Sequence, residues 1–470
     1  MPDRSGPRRI PPELFALTAL AALTRFIGLF YPNAVVFDEL YSERYAARYL
    51  TGSFYFDVHP PLGRLMIAGA AKVLGVATTT LTCEEPAVVL RVLPALFGTL
   101  LVPLVYVLLR QLRANRSVAT LGAALVLLDN ALLVQSRFVL TDIFLIVFGL
   151  VAISLFLAAR VRSGVGRGLL LSVSAIAAGA AVSVKWTGLS ALGLIGLVWL
   201  VDEIRQRKWQ QRWRRIAIDA AILVVLPIAT YAATFAIHFA LLTKSGPGET
   251  YMSLPYQATL AGNVHYRPDA RVSFLSEFVE LNEKMSYGNA LIGLTTHAAA
   301  SPWYTWPILK HRVPYWSKVR PAPDGRVEHI DLLGNLALWW GVVFAVLGIA
   351  VMCAARRPLF AGMGPPLAFL AVAYAANYLP FIPIHRSMYL YHYLFAFVFS
   401  VALGALGLGV LLRWNEDEGL WVFPTRLSRV SYWLVVVAVA GMFLFLAPIS
   451  YGWPISRRAL EARLWVIEGP

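Results

Sequence analysis

The chain has 470 residues, of which 58% are hydrophobic and only 14% are charged. A mean hydropathy of +0.64 is too high for a water-soluble enzyme of this length, so the composition excludes that class. The formal net charge of +15 would favour a nucleic-acid partner in a soluble protein, but these cations lie between apolar runs. We therefore predict an all-α integral membrane protein that binds the lipid bilayer and no nucleic acid.

Apolar runs recur from end to end of the chain, and a helix needs about 20 mostly apolar residues to cross the hydrocarbon core. About eleven runs suit such a crossing: 12–30, 87–109, 117–134, 141–159, 168–184, 187–202, 216–242, 333–354, 359–380, 388–412 and 430–449. We interpret the first run as a retained anchor, because Arg25 interrupts it and no small-residue cleavage site follows. We see no internal repeat, so residues 1–470 are predicted to form one polytopic domain.

The distribution of Lys and Arg predicts the orientation, because short cytoplasmic loops retain these residues. Twenty of the 41 cations fall on one side of the predicted spans: Arg4, Arg8, Arg9, Arg110, Arg113, Arg116, Arg160, Arg162, Arg167, Arg205, Arg207, Lys208, Arg212, Arg214, Arg215, Arg356, Arg357, Arg413, Arg426 and Arg429. This places the N-terminus in the cytoplasm. An odd number of spans then places the C-terminus outside.

Two segments on the outer side, 31–86 and 243–332, are too long and too polar to be simple turns. Loops of this kind often carry function, so we look for the site there. In the second segment, apolar residues recur at helical spacing from Phe274 to Met285 among Ser and Glu residues. This pattern predicts a short amphipathic helix.

The first outer segment contains an adjacent acidic pair, Asp38 and Glu39. If the chain is helical after Phe37, the two side chains point about 100° apart and have different roles. One interpretation makes Asp38 a general base at the membrane surface. The alternative has the pair cap a helix or pair with Arg44 and Arg48.

Further polar candidates occur later in this segment and at the outer ends of spans. They are Asp57, His59, Arg64, Arg91, Arg137, Asp142, Lys185, Arg386, Tyr391 and His392. An Arg or Lys inside lipid costs about 3 kcal/mol on insertion scales, so several cations near one leaflet favour an anionic partner such as a phosphate. The alternative is that Arg137, Lys185 and Arg386 snorkel to headgroups while Thr141 and Asp142 cap the next helix.

Trp303 and Tyr304 suit either an aromatic belt or a surface that stacks on a sugar or lines an acceptor groove, and spacing does not separate the two. The sequence contains no metal-ligand spacing, so we predict no metal site. Whether a divalent cation is needed is left open.

The chain resembles the protein O-mannosyltransferase family in a series of short strings that follow the family's order: Phe37-Asp38-Glu39, Asp57-Val58-His59-Pro60-Pro61-Leu62, Ser136-Arg137 with Asp142, Ser183-Val184-Lys185-Trp186, Ile237-His238-Phe239, Trp303-Tyr304-Thr305-Trp306-Pro307, Gly334-Asn335 with Trp339-Trp340, and Arg386 with Tyr391-His392-Tyr393. These strings cover nearly the whole chain.

This resemblance implies a membrane glycosyltransferase of the GT-C fold. Its donor substrate would be polyprenyl-phosphate-mannose, and its acceptors would be Ser or Thr hydroxyls of exported proteins, with inversion at the sugar. The acidic pair would be catalytic, with Asp38 as the base and Glu39 holding the acceptor or the fold of the site. The donor phosphate and sugar would fall to Arg64, Arg91, Arg137, Lys185, Arg386 and His392.

The sequence also departs from the family's eukaryotic members. About 90 residues in the second outer segment cannot hold their β-trefoil MIR insertion, so the chain resembles the shorter bacterial type, which implies a plasma-membrane enzyme with an extracytoplasmic site. Leu40 and Tyr41 replace a His that commonly follows the acidic pair, and Arg64 stands where Lys is common.

Two other functions fit parts of the pattern. A GT-C transferase that modifies a glycolipid such as lipid A would use a similar acidic loop and a similar donor. A transporter would place its polar site near the membrane midplane within repeated halves, whereas these polar groups lie at the outer ends of spans. The acceptor, the polyprenyl length and the oligomeric state are not indicated by the sequence.

Overall fold

The computed structural model describes residues 10–82, 87–206, 209–291, 298–320, 324–355, 362–465 and 467. Its α-helices are α1 Pro12–Phe26, α2 Glu39–Thr51, α3 Leu62–Val73, α4 Thr78–Thr82, α5 Val92–Gln111, α6 Arg116–Leu127, α7 Asn130–Gln135, α8 Asp142–Arg160, α9 Gly164–Val184, α10 Leu189–Arg205, α11 Trp209–Leu241, α12 Leu254–Gln257, α13 Phe274–Leu291, α14 Leu336–Ala354, α15 Gly364–Tyr378, α16 Leu394–Leu411, α17 Arg426–Tyr451 and α18 Arg457–Leu464. Seven of the cations used for the orientation lie outside these ranges: Arg4, Arg8, Arg9, Arg207, Lys208, Arg356 and Arg357.

Among the described residues, seven helices are long and apolar enough to cross a membrane: Val88–Gln111, Asp142–Arg160, Gly164–Val184, Trp186–Arg205, Arg212–Leu241, Leu390–Leu411 and Arg426–Tyr451. The other four predicted runs hold α1, α6 with α7, α14 and α15, which fall outside that set. The chain is therefore a multi-pass helical membrane protein, and the number eleven stays a prediction.

Helices α8 and α16 form the centre of the bundle, since most of each lies inside the protein. Gly149 of α8 leaves room for the ring of Phe395 from α16, because a Cβ at this position would overlap that ring. Helix α8 also packs along α5 and α9. The other spans turn more of their apolar surface outward, as expected where lipid is the solvent.

Helices α9 and α11 make a second close contact at Gly179, where an added Cβ would lie 2.8 Å from Cα of Pro227. We expect Gly179→Ala to push the helices apart and to destabilise the fold by about 1–3 kcal/mol, the usual cost of overpacking. Gly196→Ala in α10 is the matched control, because no atom lies within 4 Å of its Cβ position. Thermal unfolding midpoints in one detergent measure both, and equal midpoints would contradict the expectation.

The outer layer is built from both outer segments. The first contributes α2 and α3, and the second contributes α13 and a two-stranded antiparallel hairpin of β1 Val313–Val319 and β2 Val327–Leu332. The all-α prediction missed this hairpin. Strand β2 is buried on both faces, so the alternating pattern that marks a half-buried strand is absent from its sequence.

Cations on the predicted cytoplasmic side pair with acids across helices. The pairs are Arg116 with Glu13, Arg110 with Glu418, Arg160 with Asp202, Arg167 with Asp219, and Arg212 and Arg215 with Glu203. In each of these pairs except that of Glu418, which lies outside the helices, the two charges come from different helices and lie at the same depth in the bundle.

Candidate active site

The segment that presents Asp38 has a strained backbone. Phe37 adopts a left-handed conformation with φ +53°, which is rare for a bulky residue and needs external support. Tyr315 of β1 supplies it, because its ring stacks on Phe37 at 4.3 Å and its carbonyl accepts the Phe37 N–H at 3.2 Å. Asp38 follows at the N-cap position of α2, where its side chain makes no capping hydrogen bond.

Glu39 is fully buried and belongs to the framework of the site. Its carboxylate accepts from Arg91 Nη2 at 2.7 Å and Nε at 2.9 Å, and from the N–H groups of Val36 and Val139 at 3.0 Å each. The other Arg91 donors bind backbone carbonyls of the first outer segment. Glu39 therefore pairs with Arg91 instead of Arg44 or Arg48, and the predicted phosphate role of Arg91 is corrected to a structural one.

Arg137 also has a structural position. Its guanidinium donates to the carbonyls of Arg25, Ile27 and Gly28 at 2.7–2.8 Å, which closes the end of α1. The side chain is buried and lies over the ring of Tyr451. It neither snorkels to headgroups nor faces a site, so its predicted phosphate role is also corrected.

Lys185 lies at the outer end of α9 and is paired with Asp142 at the start of α8, Nζ to Oδ1 2.7 Å. Gln135 donates to the other carboxylate oxygen of Asp142 at 3.1 Å, and Thr141 makes no capping hydrogen bond. Within the described part of the chain, one of the three N–H groups of the Lys185 ammonium donates a hydrogen bond to Asp142. The other two are suited to an anion.

Aromatic rings surround this cation. Lys185 Nζ lies 5.4 Å from the ring centroid of Tyr391, which packs on His392 at 4.6 Å and edge-on against Phe37 at 6.1 Å. His392 in turn stacks on Trp306. Tyr391 thus stands between the Asp38 segment and the ammonium group.

The two aromatic candidates of the second outer segment do not share this position. Trp303 packs against Tyr378, and Tyr304 is 62% exposed. Trp306, three residues later, is the ring of that string that reaches His392.

Arg386 is tied to helix α13. Its Nη1 donates to Oδ1 of Asn289 at 3.1 Å, and the amide of Asn289 donates to the carbonyl of Val58 at 2.7 Å. Gly288 allows this approach, because a Cβ there would lie 3.0 Å from the Val58 side chain. The amphipathic helix therefore links the first outer segment to Arg386.

Asp57, His59 and Arg64 form a third group. Arg64 Nε donates to Asp57 Oδ2 at 3.1 Å, and the backbone N–H of His59 donates to Asp57 Oδ1 at 3.2 Å. The Arg64 guanidinium lies over the ring of Tyr45. Burial, and after it the charges of Lys185 and Arg64, lower the pKa of His59 well below its ordinary value, so the ring is neutral. This group lies near the Asp142–Lys185 pair, because a Cβ at Gly63 would lie 2.8 Å from Cγ2 of Thr141 and 3.5 Å from Cγ1 of Val184.

The structure thus brings together Asp38, Asp57, His59, Arg64, Asp142, Lys185, Arg386, Tyr391 and His392. Tyr315, Gln135 and Asn289 connect these groups. The sequence marked Gln135 only as a polar group at the outer end of a span and Tyr315 only as an aromatic-belt or sugar-stacking candidate, and Asn289 was missed. Tyr315 donates to Gln135 Oε1 at 2.6 Å, and Gln135 donates to Asp142. These two side chains join the Phe37 turn to the Asp142–Lys185 pair.

Glu43 gives a pH-dependent prediction. Burial, and after it the charge of Glu39, raise the pKa of this carboxyl from 4.5 to about 8. The folded protein then binds the proton more tightly than the unfolded chain, so the free energy of unfolding falls as pH rises between these values. We expect Glu43→Gln to remove part of this fall. Thermal midpoints measured from about pH 5 to about pH 8 test it, and parallel curves for both proteins would contradict it.

The fold can be compared with solved structures. It is similar to that of the Saccharomyces cerevisiae protein O-mannosyltransferase Pmt1-Pmt2 complex bound to the sugar donor, with a TM-score of 0.84 and 18% identity over 98% of this chain and 93% of that one. ArnT from Cupriavidus metallidurans in the apo state matches with a TM-score of 0.55 and 14% identity over 93% and 76% of the two chains. The fold is that of the GT-C membrane glycosyltransferases.

Sequence comparison gives the family. A model described as dolichyl-phosphate-mannose-protein mannosyltransferase matches residues 15–243, and one for the C-terminal four TMM region of protein-O-mannosyltransferase matches residues 274–468. Protein O-mannosyltransferase 1 of Drosophila pseudoobscura pseudoobscura is 36% identical over 269 residues, which cover 54% of this chain and 30% of that protein. The chain belongs to the protein O-mannosyltransferase family, and it matches under a third of the length of this curated relative.

Proposed function

We propose that the protein transfers mannose from polyprenyl-phosphate-mannose to Ser or Thr hydroxyls of exported proteins, with inversion at the sugar. One observation carries the proposal beyond family membership. Lys185, with two donors left for an anion, lies beside Tyr391, and Tyr391 contacts the strained turn that presents Asp38. A cation for the leaving phosphate and a carboxylate for the incoming hydroxyl are the two groups that this displacement requires.

In the proposed reaction the acceptor oxygen forms a bond to the anomeric carbon as the bond from that carbon to the phosphate oxygen breaks. Asp38 takes the hydroxyl proton, and polyprenyl phosphate leaves with the bonding electron pair. The phosphate is a good leaving group, so no acid is needed. Positive charge develops on the sugar as in glycoside hydrolysis, and Lys185 and Arg386 stabilise the negative charge on the phosphate.

The remaining candidates receive narrower roles. Arg64 and His392 are proposed on the donor side. Arg64 pairs with Asp57 beside His59, and His392 packs on Tyr391, whose ring contacts Lys185. Glu39, Arg91 and Arg137 are proposed as positioning residues, because the Glu39–Arg91 pair and both terminal nitrogens of Arg137 already bind protein.

We further propose that the site faces the extracytoplasmic side of the plasma membrane, with the N-terminus in the cytoplasm and the C-terminus outside. The charge distribution supports this orientation. The interhelical ion pairs of Arg116 and Arg160 support a common level for the cytoplasmic cations.

The test is a transfer assay with purified protein, labelled polyprenyl-phosphate-mannose and a Ser/Thr-rich peptide. A peptide with every Ser and Thr replaced by Ala is the acceptor control, and a glycolipid acceptor is assayed in parallel, with and without EDTA. Label in the first peptide alone supports the proposal. Label only in the lipid fraction would favour the glycolipid transferase, and no transfer from this donor to any acceptor would contradict the proposal and favour another sugar.

A further inference from the structure

A small cavity lies where the first outer segment meets the outer end of α11 and the inner face of α13. Its walls include Tyr55, Asp57, His59, His238, Leu281 and Met285. The free volume of about 10 Å³ holds one oxygen atom of a hydroxyl or a water. The site described above uses Asp57 and His59 but assigns nothing to His238.

His238 is only 4% exposed, and its two ring nitrogens differ. Nδ1 lies 2.8 Å from the hydroxyl of Tyr49. Within the described ranges, no group hydrogen-bonds to the buried Nε2. A buried polar atom left without a partner is costly and uncommon in native proteins, so the atom at this cavity indicates a bound group.

The Nε2 atom of His238 suits a hydroxyl in either tautomer of the ring. When Tyr49 donates to Nδ1, Nε2 carries the ring proton and is a donor; when Nδ1 donates to Tyr49, Nε2 is an acceptor. A hydroxyl satisfies both cases, because it both donates and accepts.

Asp57 also lines the cavity, and its carboxylate is an acceptor. A group that bonds to an imidazole nitrogen and donates to a carboxylate is a hydroxyl. A phosphate would be repelled by Asp57, and the apolar floor of Leu281 and Met285 does not suit a metal ion.

The position of the cavity favours a hydroxyl of the donor over that of the acceptor. His59 and Pro61 line the cavity, and Asp57 pairs with Arg64. Two residues after Pro61, the Cα of Gly63 packs against the side chains of Thr141 and Val184, which flank the Asp142–Lys185 pair. Asp38, which must meet the acceptor hydroxyl, is not in the wall. The cavity is thus adjacent to the cations proposed for the donor phosphate, where the attached sugar must lie.

We propose that His238 and Asp57 form a subsite for one hydroxyl of the donor's mannosyl group, with His238 as a specificity-determining residue. This inference rests on the proposed function. It predicts that His238 recognises the sugar and contributes nothing to recognition of the polyprenyl phosphate.

The test measures binding of polyprenyl-phosphate-mannose and of polyprenyl phosphate, without acceptor, to wild type and to His238→Leu. Loss of the hydrogen bond should weaken the mannosyl ligand by about tenfold and leave polyprenyl phosphate unchanged. His238→Gln, whose amide can place a donor near the lost Nε2, should restore part of the affinity. His265→Leu, at an exposed histidine of the second outer segment, is the matched control and should change neither affinity.

A second variant guards against loss of the fold in His238→Leu. Leu281→Phe adds bulk at the cavity wall from α13 and should show the same selective loss. Equal weakening of both ligands by His238→Leu would overturn the inference. No change in either ligand would also overturn it and would mean that the cavity holds only a water. If wild type binds neither lipid, the proposed donor is itself wrong, which separates that failure from failure of the subsite.

Discussion

Asp38→Asn is expected to lower mannosyl transfer by about 100-fold or more, the scale of general-base catalysis. The amide keeps the size of the side chain but cannot take the hydroxyl proton. Affinity for the donor should change little, because Lys185 and Arg386 supply the proposed phosphate contacts. The rate is measured with saturating donor and peptide, and donor binding is measured separately.

Asp269→Asn is the matched control for this substitution, because Asp269 is an exposed carboxylate in the second outer segment. It should transfer mannose at the wild-type rate. An Asp38→Asn protein that is folded and binds donor but retains more than about a tenth of the wild-type rate would rule out general-base catalysis by Asp38.

Arg91→Met is expected to cost about 3–5 kcal/mol of stability, the usual result of removing one partner of a buried ion pair. The substitution leaves the Glu39 carboxylate buried without its cation, and it frees carbonyls of the first outer segment. Because Arg91 and Glu39 are 52 residues apart, their pair fixes the start of α2 to the start of α5. The loss is measured from thermal or denaturant unfolding in detergent.

Arg110→Met provides the comparison, since Arg110 pairs with Glu418 in a partly exposed salt bridge. Such pairs contribute about 0–1 kcal/mol, so this variant should unfold close to wild type. If Arg91→Met matched Arg110→Met in stability and lost only donor affinity, Arg91 would be a phosphate ligand after all.

The acidic pair shows how far the sequence alone could lead. The helical period predicted that Asp38 and Glu39 would have different roles, and the structure separates them, with Glu39 buried against Arg91 and Asp38 at the N-cap of α2. For the cations, sequence reasoning identified several residues that gather around one site but could not sort them. Arg137 and Lys185 look alike in sequence, and only the carbonyls at the end of α1 make one of them structural.

The contacts that join the parts of the site were beyond prediction. Tyr315 reaches Gln135 across 180 residues of sequence, and no local pattern encodes such a pairing. His238 was noticed as part of a family string, but a lone histidine in an apolar run carries no sign of which nitrogen lacks a partner.

The contacts of Phe37 with Tyr315, of Tyr315 with Gln135 and of Gln135 with Asp142 also have a consequence for synthesis, because they join residues that are made at different times. The acidic turn and the first spans leave the ribosome long before β1, yet the left-handed turn at Phe37 is held by Tyr315. A chain that ends before β1 lacks this support for the turn at Phe37. In the proposed enzyme, mannosyl transfer therefore requires that β1 has been synthesised and has packed against the first outer segment.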